Sequence, residues 1–138
     1  MRGLLADVNV EGHLPRLSRI LRSLGLWAVL ADLDLRLVTF RDLGFAMDLD
    51  DRSLSDACQG DGWVLLTENR NHDGPDSLGA VLDDSWIEGR LPVLTLSSKS
   101  KFERDLAYAQ RVATDVAELL FGVAMGEYRD RPRIDVPR

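Results

Sequence analysis

The fold is decided by the stretch Val64-Leu65-Leu66-Thr67-Glu68-Asn69-Arg70-Asn71-His72-Asp73-Gly74-Pro75-Asp76-Ser77-Leu78. An apolar run ends abruptly at a cluster of carboxylates and carboxamides, and a Gly-Pro turn then opens a helix. The beginning of the chain repeats this arrangement, because Leu4-Leu5-Ala6 leads into Asp7-Val8-Asn9. In an open α/β sheet the carboxyl ends of parallel strands border one crevice, so we expect the acids behind both strands to meet there.

Short apolar strands alternate with amphipathic helices along the chain. The pattern predicts strands at residues 2–6, 36–40, 63–67 and 91–96, and helices at 13–24, 53–59, 75–88 and 100–121. Residues 26–34 fit either a strand or a further helical turn, and residues 41–52 are predicted to form a polar loop. Ser100 and Glu103 have the spacing of a capping box at the start of the last helix.

This alternation predicts an α/β fold. We expect a three-layer α/β/α sandwich around a central, mainly parallel four-stranded sheet, because near-continuous apolar strands are covered by helices on both faces. Residues 1–126 are expected to form a single domain. The tail at residues 127–138 is rich in Arg, Asp and Pro, and we expect it to be irregular or to bind a partner.

Composition narrows the function classes. The chain has 138 residues, a formal net charge of −6 and one cysteine, Cys58, which we expect to pack in the interior of a cytoplasmic protein. We find no signal peptide and no apolar run approaching the ~18 residues of a membrane span. The negative charge disfavours a general nucleic-acid binder, but not a nuclease whose acids surround a metal ion.

Acidic side chains follow the predicted strands and precede the predicted helices. The candidate metal ligands are Asp7, Asp50, Asp51, Asp73 and Asp76. Hard cations such as Mg²⁺ or Mn²⁺ prefer oxygen ligands of this kind. Each acid also has a local explanation that stays open, because Asp50 or Asp51 can cap a helix and Asp73 can shape a turn.

Three stretches carry a resemblance to a known family. Residues 1–9 form a strand that ends in Asp7 with Asn9 two positions later. Residues 40–45 and 50–54 combine an Arg-Asp-Leu-Gly loop with an acid that opens a helix, and residues 62–67 match a third strand. Over residues 1–96 the chain resembles the small PIN-like proteins of prokaryotes, a branch of the PIN-domain nuclease superfamily.

The resemblance implies both an activity and a partner. Active PIN domains cut single-stranded RNA with Mg²⁺ or Mn²⁺ held by three or four acids, and many are toxins neutralised by an antitoxin protein. This implies metal roles for Asp7 and for Asp50 or Asp51. The helix after Lys101 and the tail lie outside the match and offer surfaces for a homodimer or a partner protein.

The third block departs from the family pattern. Asn69 and Asn71 stand where the family often has Asp-x-Asp, and Asp73 and Asp76 are the nearest replacements. We expect a metal-dependent ribonuclease in which Asp7, Asp50 and Asp76 hold the metal. In the same hypothesis, three side-chain amides orient water or the scissile phosphate: Asn9, Asn69 and Asn71. Arg16 or Arg70 binds a flanking phosphate.

Two other functions remain open. The first is a catalytically degenerate PIN-like binding subunit of a toxin–antitoxin or defence assembly, which the two amides and the negative net charge favour. The second, ranked lower, is a receiver-like signalling domain, because residues 91–99 resemble the end of such a domain's strand. That class needs paired acids after the first strand, where Asp7 stands alone.

Overall fold

The computed structural model describes residues 1–68 and 90–138. Five strands form one parallel sheet in the order β2-β1-β3-β4-β5. They are β1 (Gly3–Ala6), β2 (Arg36–Thr39), β3 (Trp63–Glu68), β4 (Val93–Leu96) and β5 (Arg133–Val136). The α/β class is therefore confirmed, whereas the predicted strand count of four is wrong.

Six α-helices and one short 3₁₀ helix (Glu11–His13) lie in the described residues. The α-helices are α1 (Leu14–Ser23), α2 (Leu26–Asp32), α3 (Phe40–Leu43), α4 (Asp51–Asp61), α5 (Lys99–Arg104) and α6 (Leu106–Ala124). Residues 26–34, which fit two structures by pattern, are mostly helical. Gly25 separates α1 from α2 because its φ of 73° takes the chain out of the first helix.

Helices cover both faces of the sheet. Leu4 and Ala6 of β1 belong to an apolar cluster with α1, α2 and α6, while Leu5 between them belongs to a second cluster with Phe40 of α3 and Leu54 of α4. Successive side chains of a strand point to opposite faces, so the two clusters lie on opposite sides of the sheet. This arrangement is compatible with three layers.

Cys58 lies in the second cluster and is buried. Burial, reinforced by the charges of Asp61 and Asp7, raises the pKa of its thiol to about 12. The thiol therefore stays neutral and packs as a small apolar side chain, as the sequence analysis expects.

Two local predictions about helix ends are wrong. The predicted polar loop at residues 41–52 begins with α3, where Thr39 accepts a hydrogen bond from the Asp42 N–H and Asp42 accepts one from the Thr39 N–H. The last helix starts with Ser98 as its N-cap, not with the Ser100–Glu103 pair. It then breaks at Asp105, whose carboxylate caps α6 by accepting from the Tyr108 N–H.

The predicted irregular tail contains the fifth strand. β5 pairs with β4 and buries Ile134 and Val136 against the first cluster. Arg138 then donates hydrogen bonds to Asp115 and Glu118 of α6. Apolar and polar residues alternate over only four positions of this strand, and prolines flank it. The sequence pattern therefore predicts a strand here only weakly.

The helix predicted at residues 75–88 lies outside the described residues, as do residues 69–74 before it. Among the helices of the described ranges, none has both the length and the apolar character needed to cross a bilayer.

Gly3 allows β1 and β2 to approach closely. Its φ is 144°, and a Cβ atom at this position would lie 1.9 Å from the carbonyl oxygen of Arg36 in β2. We expect Gly3→Ala to lower the free energy of unfolding by about 3 kcal/mol, since backbone atoms have no room to move aside. Urea denaturation measures this loss.

Gly12→Ala is the matched control, because no atom beyond its chain neighbours and its own short helix lies within 4 Å of the position its Cβ would take. Equal unfolding midpoints for the two variants would show that the close approach at Gly3 does not limit stability.

Candidate functional site

The strand order places a crevice at the carboxyl edge of the sheet. β1 pairs with β2 on one side and with β3 on the other. The connection after β1 runs over one face through α1 and α2, whereas α4, which leads into β3, packs on the opposite face. Sheets with this order bind ligands where the connections diverge, outside the carboxyl ends of the first and third strands.

Asp7 lies at this edge of the sheet, directly after β1. Only 4% of its surface is exposed. One carboxylate oxygen accepts a hydrogen bond from the Val8 N–H at 2.7 Å, and the other accepts one from the Thr67 hydroxyl at 2.9 Å. These bonds hold the carboxylate in one orientation.

Glu68, the last residue of β3, provides a second carboxylate at the same edge. The Lys99 ammonium lies 3.1 Å from its Oε2 atom and 3.2 Å from the carbonyl oxygen of Asn9. Lys99 opens α5, just after β4. The ammonium therefore connects the segments that follow β1, β3 and β4.

Lys99 is not among the site residues predicted from the sequence. The available signal was the Ser97-Ser98-Lys99 stretch, which follows the apolar run of β4 and so must emerge at the edge where Asp7 lies. Asn9 also contacts Lys99, and it does so through its backbone carbonyl oxygen. The role predicted for Asn9 concerned its side-chain amide instead.

Asp50 is the N-cap of α4. Its carboxylate accepts hydrogen bonds from the Ser53 N–H at 2.8 Å and from the Ser53 hydroxyl at 2.9 Å. These bonds, the backbone one first, hold the pKa of this exposed carboxyl below its usual value. The capping alternative is therefore confirmed for Asp50. Asp51 is half-buried in the first turn of the same helix.

Arg16, a predicted phosphate ligand, is used in packing. Its Nε–H donates to the carbonyl oxygen of Phe102 at 2.9 Å, and its guanidinium lies 5.7 Å from the centre of the Phe102 ring. The side chain thus attaches α1 to α5 rather than standing free beside the crevice.

The remaining predicted site residues lie outside the described residues. They are Asn69, Arg70, Asn71, Asp73 and Asp76. Within residues 1–68 and 90–138, no group of three or more His, Cys, Asp or Glu side chains is placed to hold a metal ion. Asp7 and Glu68 are suitable oxygen ligands, but a complete set of acids needs contributions from residues 69–89.

Comparison with known proteins gives no match to a family model, to a curated protein or to a solved structure.

The Thr67 hydroxyl supports Asp7, and its removal tests that support. Thr67→Val conserves shape but leaves one oxygen of a buried carboxylate without this donor, so we expect a loss of about 2 kcal/mol in unfolding free energy. Thr95→Val is the matched control, because Thr95 is the buried register partner of Thr67 on β4 and makes no hydrogen bond with the described residues through its hydroxyl. Similar losses in both variants would contradict the assigned role.

The cap at Asp50 predicts a pH dependence. Because its pKa is lower in the folded chain than the ordinary value of 3.8, its stabilising contribution is complete above pH 3.8 and disappears as the pH falls through the folded-state pKa. Asp50→Asn still caps the helix but does not titrate. We expect the stability difference between the natural chain and this variant to fall between pH 6 and pH 3, measured by urea denaturation.

Asp48→Asn, in the exposed loop before the cap, is the matched control for this titration. A stability difference for Asp50→Asn that is the same at both pH values would be evidence against the cap.

Proposed function

We propose that this chain is a metal-dependent ribonuclease of the PIN type that cleaves single-stranded RNA in the cytoplasm. In this proposal it is the toxin of a toxin–antitoxin pair, and an antitoxin protein neutralises it. The observation that carries the proposal is the buried Asp7 carboxylate. It is oriented by Thr67 and Val8 at the point of the sheet where α/β folds bind their ligands.

Divalent-cation chemistry fits the residues at this edge. Mg²⁺ or Mn²⁺ would be held by Asp7 together with Asp76, Asp73 or an acid at the start of α4. The bound metal would lower the pKa of a water molecule and offset the charge on the phosphodiester. In this proposal Asn69 and Asn71 orient the water or the phosphate.

The chain's own residues supply the remaining functions. The Thr67 hydroxyl keeps the Asp7 carboxylate in one orientation, which reduces the reorganisation needed to bind a cation. In this proposal the Lys99 ammonium exchanges its ion pair with Glu68 for a phosphate oxygen of an approaching strand. A local positive charge of this kind helps an acidic protein to receive a polyanion.

A second candidate function is a PIN-like binding subunit without catalysis. One observation favours it: the Lys99 ammonium already forms an ion pair with Glu68, which neutralises one of the two carboxylates described at this edge. Asn69 and Asn71 carry no charge, which also weakens binding of a divalent cation. In this candidate the crevice keeps its shape and serves a toxin–antitoxin or defence assembly.

RNA cleavage tests the first candidate. We expect purified protein with Mn²⁺ to fragment an unstructured RNA oligonucleotide, and Asp7→Asn to reduce the rate about 100-fold or more, because the amide has the same shape but no charge. Asp32→Asn is the matched control: Asp32 is an exposed acid at the end of α2, next to the opposite edge of the sheet. Equal cleavage by the natural chain and Asp7→Asn would assign the activity to a contaminant.

A metal titration separates the two candidates. The ribonuclease predicts heat of binding and a higher Tm with millimolar Mn²⁺, both lost in Asp7→Asn. Absence of heat and of a Tm shift in the natural chain would favour the binding subunit.

A further inference from the structure

A groove between α2 and α6 lies away from the carboxyl edge of the sheet. It has a volume of about 330 Å³. Its walls are mainly apolar, and the residues that provide them are Leu26, Val29, Ala117, Phe121, Gly122 and Tyr128. The first two belong to α2, the next three belong to α6, and Tyr128 follows α6.

Large apolar side chains remain exposed on both walls. Val29 is 42% exposed and Phe121 is 45% exposed, although most neighbouring apolar residues of α6 are fully buried. Exposed apolar side chains that lie together at a groove are typical of interaction sites.

The groove is formed in advance by close packing. A Cβ atom at Gly122 would lie 2.3 Å from the Tyr128 ring, so the absence of a side chain there lets the tyrosine pack directly on the helix backbone. This packing fixes the Tyr128 ring at one end of the groove. A ligand therefore loses no free energy of binding to ordering this side chain.

The charges along the groove are acidic. Glu118 and Glu127 line it, and among the described residues that line it none is Lys or Arg. Arg138 partly neutralises Glu118, whereas Glu127 has no ion-pair partner among the described residues. The occupant must therefore bring apolar side chains flanked by positive charge.

We propose that this groove binds an amphipathic helix of a partner protein, with an apolar stripe flanked by Lys or Arg. An apolar groove accepts the apolar face of an amphipathic helix through side chains at i, i+3 or i+4, and i+7. A second copy of this chain fits less well, because a symmetric dimer would bring the Glu118 and Glu127 side chains of one copy close to those of the other. The inference does not depend on nuclease activity.

The test uses a fluorescein-labelled synthetic peptide of about 18 residues, with Leu at helical spacing and Lys at the flanking positions. We expect the full chain to bind it with a Kd of about 10 µM, measured by fluorescence anisotropy, and Phe121→Ala to weaken binding about tenfold. Leu106→Ala is the matched control, because Leu106 is an apolar residue at the other end of α6 that is 56% exposed. It should leave the Kd unchanged.

A second pair of variants tests the charge. Glu127→Gln should weaken binding about threefold at low salt and have less effect at high salt, while Asp48→Asn, on a distant loop, should not. A peptide with Glu in place of each Lys should bind at least about tenfold more weakly. Circular dichroism and Tm check that each variant is folded.

Three results would overturn the proposal. The first is no binding of the Lys peptide, and the second is equal binding by Phe121→Ala and Leu106→Ala. The third is a concentration-dependent dimer in sedimentation equilibrium that Phe121→Ala abolishes, since that result assigns the groove to a second copy. Loss of RNA cleavage with binding intact would count against the proposed ribonuclease alone.

Discussion

The pairing of β1 with two neighbours positions the rest of the candidate site. Ala6 is in register with Thr39 of β2 and with Leu66 of β3. Asp7, the residue after the last paired position of β1, therefore lies level with Thr67 of β3, and the Thr67 hydroxyl reaches the Asp7 carboxylate across 2.9 Å. Glu68 and Lys99 follow from the same register, because Glu68 pairs with Leu96 and the chain turns into α5 just beyond.

Much of this architecture could be predicted from local patterns. Apolar runs located β1 and β3, and helical periodicity located α1, since burial on a face leaves a repeating signal in the sequence. The patterns failed where a tertiary contact decides the outcome. β5 is a strand because β4 offers it an unpaired edge, and its four residues carry too few apolar positions to predict this alone. The break between α5 and α6 depends on which Ser or Asp side chain reaches a free N–H.

The site was predictable in part for the same reason. Asp7 follows an apolar strand, and that is enough to place it at the carboxyl edge. Lys99 and Glu68 are 31 positions apart in the chain and come into contact at the ends of two strands. This contact depends on the register between β3 and β4, which the amino-acid composition does not predict. Asp50 had two compatible explanations in the sequence, and the bonds from Ser53 identify the cap. A residue that caps a helix can still contribute charge to a nearby crevice, so this finding leaves its proposed metal role to experiment.

The fifth strand protects the protein from aggregation, because it covers an edge of β4. β4 is buried along its whole length because β5 covers one side of it. A product cut short before Arg133 would expose a row of backbone donors and acceptors on an apolar strand, which is a template for intermolecular β-pairing. Incomplete translation or proteolytic trimming at this end would therefore tend to yield aggregates rather than a slightly shortened folded protein.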